Sequence, residues 1–273
     1  MATTVYNRQT RTKAGIAGGL LHLAEQGYRY RWQIAVNFWR DFRQIYSQTG
    51  LGLFWAFALP IVPVTIYVLL AKLRFLPQAD GMDPAVYITT GVTLWFLFSG
   101  SVLQPVNSVK DKGGISARTE YPLIGVVLAS FAQLVFDTFV RVAAVAGVFA
   151  FTQTIPAWAA ILAPFLIVAL LPLFFGAGLI LSMANIAFAD VAKVATVLLQ
   201  YGIFVSAVIF PLPERFIMWN PFALAVDSVR DLLVFGTVNH PFHLAGLVAL
   251  GVLVLLVGAR VFYVMEYRVR GLL

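Results

Sequence analysis

The chain has 273 residues, of which 60% are hydrophobic and only 11% charged, with a net charge of +7. Soluble domains carry roughly 25% charged residues, so this composition cannot clothe a water-facing surface and points to lipid as the solvent. The lack of cysteine excludes a disulfide framework and a thiolate metal site. The positive balance fits basic loops at a membrane face and does not call for nucleic acid.

Residues 1–27 hold a short apolar patch but no sustained signal-peptide core before Glu25, and read as a cytoplasmic tail. Residues 28–47 read as an amphipathic interface helix. On a helical wheel Ile34, Ala35, Phe38, Trp39, Phe42, Ile45 and Tyr46 share one face. Arg29, Gln33, Asn37, Arg40, Arg43 and Gln44 share the other, with Arg31 off the pattern. Such a helix can lie in the headgroup plane. It is either an anchor or a docking surface for a cytoplasmic partner, and periodicity leaves both open. Gly50 and Gly52 permit the turn into the remaining chain, 48–273, which reads as a single transmembrane domain.

Uncharged runs give the spans in order. The first is 51–71 and the second 85–106, followed by a basic loop holding Lys110, Asp111, Lys112, Arg118 and Glu120. The third, 121–151, is interrupted by Asp137 and Arg141. Four residues apart, these share a helix face. Intramembrane charges are costly and point inward, so the two either line a path or neutralise each other. The stretch 152–158, Thr-Gln-Thr-Ile-Pro-Ala-Trp, breaks the uncharged run from Val142 to Ala189 into the third span and a fourth, 157–188. A short loop with Asp190 and Lys193 leads to the fifth, 193–211.

Pro211, Pro213 and Pro221 then punctuate an apolar stretch that is too broken for a span and too apolar for a solvated loop. It reads as short re-entrant or interfacial helices, with a surface helix over 223–235 as the alternative. The sixth span is 242–264. His240 and His243 precede it at i, i+3, but no third ligand lies nearby and they read as interfacial. The fold class is therefore all-α integral membrane, with six spans. Continuous rather than alternating apolar runs exclude a β-barrel.

Orientation follows from Lys and Arg. Arg8, Arg11, Lys13, Arg29, Arg31, Arg40 and Arg43, then Lys110, Lys112, Arg118, Lys193, Arg260, Arg268 and Arg270, fall on one side. Only Lys72, Arg74, Arg215 and Arg230 fall on the other. The positive-inside rule puts both termini in the cytoplasm. Aromatics near span ends, such as Trp158, Trp219 and Tyr263, fit a membrane belt. Trp95, Phe96, Phe98, Phe136, Phe139, Tyr201 and Phe204 fall mid-span, where flat rings either pack against neighbours or face passing sugar rings. No Gly-x-x-x-x-Gly-Lys-Ser/Thr occurs, so the chain has no phosphate cradle of its own. Paired catalytic carboxylates, a nucleophile motif and a cofactor loop are equally lacking, and the chain reads as non-catalytic with no catalytic, cofactor or metal residues.

Arg40, Asp41, Tyr46, Thr49, Leu51, Gly52, Trp55 and Pro60 resemble the first-span pattern of permease subunits of ABC-2 type polysaccharide exporters, the group that moves O-antigen, capsule and teichoic acid chains. The family usually has a basic residue before the Tyr, where this chain has Ile45. Tyr121-Pro122 after the second span is similar to the family's aromatic-Pro pair. Asn220-Pro221 with Arg230 is similar to its Asn-Pro and downstream Arg. The resemblance implies a homodimer of this chain in the bacterial plasma (inner) membrane, with two copies of a separate nucleotide-binding ATPase that holds the ATP and Mg. The substrate it implies is a lipid-linked glycan. Arg40, Asp41, Arg43, Lys110, Asp111, Lys112, Arg118 and Glu120 become the candidate ATPase contacts, and Asp137 and Arg141 the candidate path residues.

A drug or lipid exporter of the same ABC-2 type is the nearer alternative, although the short segment 72–83 leaves no room for the large outer domain such proteins often carry. An integral-membrane enzyme acting on lipid-linked sugars is the other, and the scattered acids do not form its interfacial cluster. An ion-coupled transporter should show inverted repeats, and none is apparent.

Overall fold

Local chemistry sets the helix ends. In the computed structural model, which describes residues 15–47, 81–269 and scattered positions between 54 and 73, every regular element is helical among the described residues. Helix α1 (Ile16–Arg29) and helix α2 (Arg31–Ser47) meet at Tyr30, whose φ of −100° and ψ of 16° break the run. Helix α3 (Pro84–Arg118) starts where Asp83 accepts a hydrogen bond from the Ala85 amide at 2.7 Å and Pro84 takes the first helical position. Helix α4 (Leu123–Phe151) follows the Tyr121-Pro122 corner. A 3-10 turn (Trp158–Leu162) leads into helix α5 (Ala163–Ala187). Then come helix α6 (Asp190–Gly202), a 3-10 turn (Ile203–Val205), helix α7 (Glu214–Trp219), helix α8 (Pro221–Val234) and helix α9 (Pro241–Val269).

Four segments are long and apolar enough to cross a bilayer: Pro84–Gly114, Leu123–Phe151, Trp158–Ala187 and Pro241–Tyr267. They coincide with the expected second, third, fourth and sixth spans. The expected first span, 51–71, lies mostly outside the described residues. The expected fifth is shorter than read: α6 has 13 residues, about 20 Å of helix, and the chain then turns. Ala207 takes a left-handed φ of 52°, a conformation worth about 1–3 kcal/mol of strain in a non-glycine residue. Two hydrogen bonds to its carbonyl, described below, offset that strain and fix the turn. The expected loop 110–120 also differs, since α3 stays helical to Arg118.

Helix α3 is central, packing on α4 and on α5, which in turn packs on α9. The α5–α9 crossing is tight: a Cβ on Gly176 would lie 2.6 Å from the Leu255 backbone, and one on Gly258 would strike the Gly176 carbonyl. Helix α5 presses on α3 through Gly178, whose added Cβ would lie 2.7 Å from the Val102 carbonyl. At the end of the bundle holding the C-terminus of α3, Leu23, Val109, Leu123, Leu179 and Phe262 form one core. At the opposite, far end a larger core gathers α3, α5 and α8. Large apolar side chains point outward from the long helices, Phe139, Phe165 and Leu253 among them. Those outward faces suit hydrocarbon.

Candidate functional site

Three polar features stand out in this apolar bundle. The first is a half-open cavity of about 510 Å³ lined by α3, α4 and α6, within the size range of ordinary ligand sites. Helix α3 contributes Trp95, Phe96, Gln104 and Asn107, helix α4 contributes Asp137 and Arg141, and helix α6 contributes Thr196 and Gln200. The 3.6-residue period explains the grouping: Phe96, Gly100, Leu103, Gln104 and Asn107 fall on one stripe, as do Thr196 and Gln200. Asp137 accepts a hydrogen bond from Gln133 Nε2 at 3.0 Å. Arg141 is 8% exposed, and its guanidinium lies 4.5 Å from the centre of the Phe96 ring. Its Nε and Nη1 are buried without a hydrogen-bond partner among the described residues. Among the described residues Arg141 makes no ion pair, so it and Asp137 share the cavity wall without neutralising each other at contact distance. Thr196 Oγ1 is committed to the Ala192 carbonyl, which leaves the amides of Gln104 and Gln200 as neutral polar groups facing the space.

The second feature is the charged surface at the basic end. Asp41 of α2 accepts Lys112 Nζ at 2.6 Å and Arg40 Nη2 at 3.4 Å. On the other side of the same helix Phe42 packs edge-on against Phe136 of α4 at 5.0 Å. Helix α2 thus meets the bundle through both apolar and ionic contacts, and Arg40 and Arg43 stay exposed. Lys110, Asp111 and Glu120 are exposed as well, while the Arg118 side chain lies outside the described residues. Asp190 and Lys193 pair at 3.1 Å in the first turn of α6, also exposed. A groove of about 480 Å³ separates α2 from the α3–α4 corner, between Trp32, Gln33 and Asn37 on one side and Glu120 and Tyr121 on the other. That corner is braced from behind. Glu266 of α9, fully buried, accepts the Leu123 amide at 3.0 Å, and Ser116 donates to the Tyr121 carbonyl at 2.7 Å.

The third feature lies at the far end. Arg230, counted among loop charges in the sequence, is fully buried in α8. Its Nη2 donates to the Ala207 carbonyl at 2.8 Å, and its guanidinium sits 3.6 Å from the Tyr87 ring centre. Its Nη1 faces Asp227 at 3.6 Å. Tyr87 donates its own hydroxyl to the same Ala207 carbonyl at 2.8 Å. Asn220 caps α8 by accepting from the Phe222 and Ala223 amides, and its Nδ2 donates to the Val205 carbonyl at 2.7 Å. The Asn-Pro…Arg pattern therefore ties α7 and α8 to the turn that ends α6. Asp231 accepts Asn239 Nδ2 at 2.6 Å. Its carboxyl is pushed up to about 7, by burial and then by neighbouring Asp227, against the pull of Arg230. His240 and His243 stack edge to face with centroids 6.1 Å apart, and no group of three or more potential metal ligands occurs among the described residues.

Of the residues singled out in the sequence, the structure joins Asp41 to Lys112 and puts Asp137 and Arg141 in one cavity wall. Gln104, Asn107, Thr196, Gln200 and Glu266 went unnoticed. A wheel drawn for α3 and α6 would have found the cavity residues, because their polar positions repeat every three or four residues. Glu266 had no such signal, since its partner is a backbone amide on another helix.

The sequence pattern of the ABC-2 type transporter family matches residues 33–234. The O-antigen export system permease protein RfbA of Klebsiella pneumoniae is 25% identical over 240 residues, covering 84% of this chain and 90% of the relative. The protein of the same description from Myxococcus xanthus is 23% identical, covering 71% of this chain and 74% of the relative. The polysialic acid transport protein KpsM of Escherichia coli is 22% identical, covering 84% and 92%.

Proposed function

Because the chain belongs to the ABC-2 type transporter family, we propose that it is the non-catalytic membrane permease of an ATP-driven exporter that moves a polysaccharide, lipid-linked at one end, across the plasma membrane. The observation that carries this reading is the cavity at Trp95, Gln104 and Asp137. Polar side chains inside a membrane span are expensive and kept for function. Rings beside amides and charged groups suit a sugar, whose C–H faces lie on aromatic planes while its hydroxyls bond to the polar groups. The names of the relatives, O-antigen export and polysialic acid transport, support a glycan over a drug or a lipid.

In this reading the chain has six membrane segments, with 51–71 and the short α6 completing the four long ones, and both termini are cytoplasmic. Two copies form the channel, and two copies of a separate ATPase dock on the basic end. Helices α7 and α8 cover the outer end as interfacial or re-entrant helices. Inactivating the gene should remove the glycan from the cell surface and accumulate its lipid-linked form inside, read by gel analysis of surface and membrane fractions. Normal surface glycan would refute the assignment.

The exposed faces of α2 and the α3 extension are the proposed ATPase contacts. Arg40→Glu with Arg43→Glu reverses charge there while leaving Phe42 on Phe136. Like charges brought together across an interface cost several kcal/mol, so co-purified ATPase should fall about tenfold or more, with membrane insertion kept. If the double variant retains its ATPase and still exports, α2 is an anchor only, and the segment Lys110 to Glu120 carries the docking.

A further inference from the structure

We infer that Arg141 makes the cavity a binding site for an anionic oxygen group, a carboxylate or phosphate carried by the molecule in transit. The inference deepens the proposed path by naming the chemistry of what passes along it.

The argument rests on an imbalance. Two charged side chains line the cavity, and only one of them is satisfied within the protein. Asp137 has Gln133 as a donor at 3.0 Å. Arg141 is more than nine-tenths buried, has two guanidinium nitrogens without an acceptor, and makes no ion pair among the described residues. The Phe96 face, 4.5 Å away, supplies a cation–π contact, but a ring offers no acceptor for a guanidinium N–H. Uncompensated buried charge is strongly unfavourable, and a partner that brings the opposite charge and an acceptor oxygen recovers that penalty. Guanidinium suits carboxylate and phosphate because its fixed planar donors match their oxygens. The other groups facing the space, Gln104, Asn107 and Gln200, are neutral amides that would orient a sugar ring without competing for its charge. Far-end Arg230 also has two buried nitrogens without an acceptor, but it has Asp227 at 3.6 Å and donates to the Ala207 carbonyl that it shares with Tyr87, whereas Arg141 makes neither an ion pair nor a hydrogen bond among the described residues.

The test uses the purified full chain in nanodiscs of phosphatidylcholine, with trigalacturonate as acidic probe and maltotriose as neutral probe, both read by calorimetric titration. Trigalacturonate should bind at least about tenfold more tightly than maltotriose, and Arg141→Gln should abolish the difference while Arg141→Lys keeps part of it. Repeating the titration with phosphatidylglycerol in the disc separates the sources of the anion. Loss of trigalacturonate binding there, with the residual sugar binding of Arg141→Gln unaffected by the lipid, assigns the site to a lipid phosphate, which is the same chemistry. Equal affinity for the two sugars, or a preference that survives in Arg141→Gln, overturns the inference and leaves the sugar path standing. Binding of neither sugar in either disc overturns both the inference and the cavity as a path. Should Arg141→Gln fold poorly, the wild-type comparison of the two probes and the Lys variant still decide.

Discussion

Arg141 and Arg230 are both buried, and each lies over an aromatic ring on α3. Around Arg230 the protein supplies a carbonyl from a strained turn, a carboxylate one helical turn back, and a tyrosine that shares the carbonyl. Around Arg141 it supplies a ring and an open space. One arginine closes a joint between three elements. The other stands at the wall of a vacancy. Burial alone therefore does not say what a charge is for, and the inventory of its partners does.

The contrast breaks most visibly under truncation. Arg230→Ala would leave Asp227 buried without its cation and the Ala207 carbonyl with one donor fewer. Breaking such a set costs about 3–5 kcal/mol, and the folded yield and detergent melting temperature should both collapse. Arg141→Met removes a buried charge that makes no ion pair or hydrogen bond among the described residues, so its melting temperature should hold or rise. Equal losses in the two variants would erase the distinction between joint and wall.

Glycine substitutions sharpen it at smaller cost. A Cβ on Gly91 would lie 2.5 Å from Arg230 Nη2 and 2.6 Å from the Val208 carbonyl, a backbone atom that cannot step aside. Gly91→Ala should destabilise by about 1–3 kcal/mol. A Cβ on Gly100, at the cavity, would meet Leu134 Cδ1 at 2.5 Å, the tip of a side chain that can rotate into the open space. Gly100→Ala also gains helix propensity of roughly 0.5–1 kcal/mol, and its melting temperature should stay within about a degree or two of wild type. A large loss at Gly100 would mean the cavity wall is as rigid as the joint.

The smallest expected effect is titration at the joint. Asp231 binds its proton more tightly folded, at about 7, than its ordinary 3.8. Stability from this group is complete below about 3.8 and is lost as pH rises through about 7. The melting temperature should therefore fall from about pH 4 to about pH 7 and level off above that, and Asp231→Asn, which keeps an acceptor for Asn239, should flatten that fall. An unchanged slope in the variant would assign the titration elsewhere.

Much of this could be read from the chain alone, for reasons visible at single residues. Asp83-Pro84 and Asn220-Pro221 announce helix starts because a cap and a fixed φ act locally. The Thr-Gln-Thr-Ile-Pro stretch announces a turn in the same way. Lys110, Asp111 and Lys112 mark where hydrocarbon ends but not where α3 ends, because a helix continues in water without objection. The apolar run past Val194 gives no hint that α6 stops at Gly202, since the stop is made by Tyr87 and Arg230 reaching the Ala207 carbonyl from other helices. Asp137 and Arg141 were legible as neighbours on one helix face. That they do not pair was not legible, because Gln133 competes for the carboxylate.

Helix α3 has 35 residues, about 52 Å of rod against a hydrocarbon slab of about 30 Å. Its closest backbone contact with α5 falls where Gly178 meets the Ser101 and Val102 carbonyls, with the internal Pro105 beside it. Ser101 is equidistant in sequence from Pro84 and Arg118, the two ends of the helix. Lys112, tethered to Asp41, lies toward one end, and Tyr87, hydrogen-bonded to the turn that ends α6, lies toward the other. One continuous helix therefore carries both the ionic tether at the charged end and the hydrogen bond that holds the far-end turn.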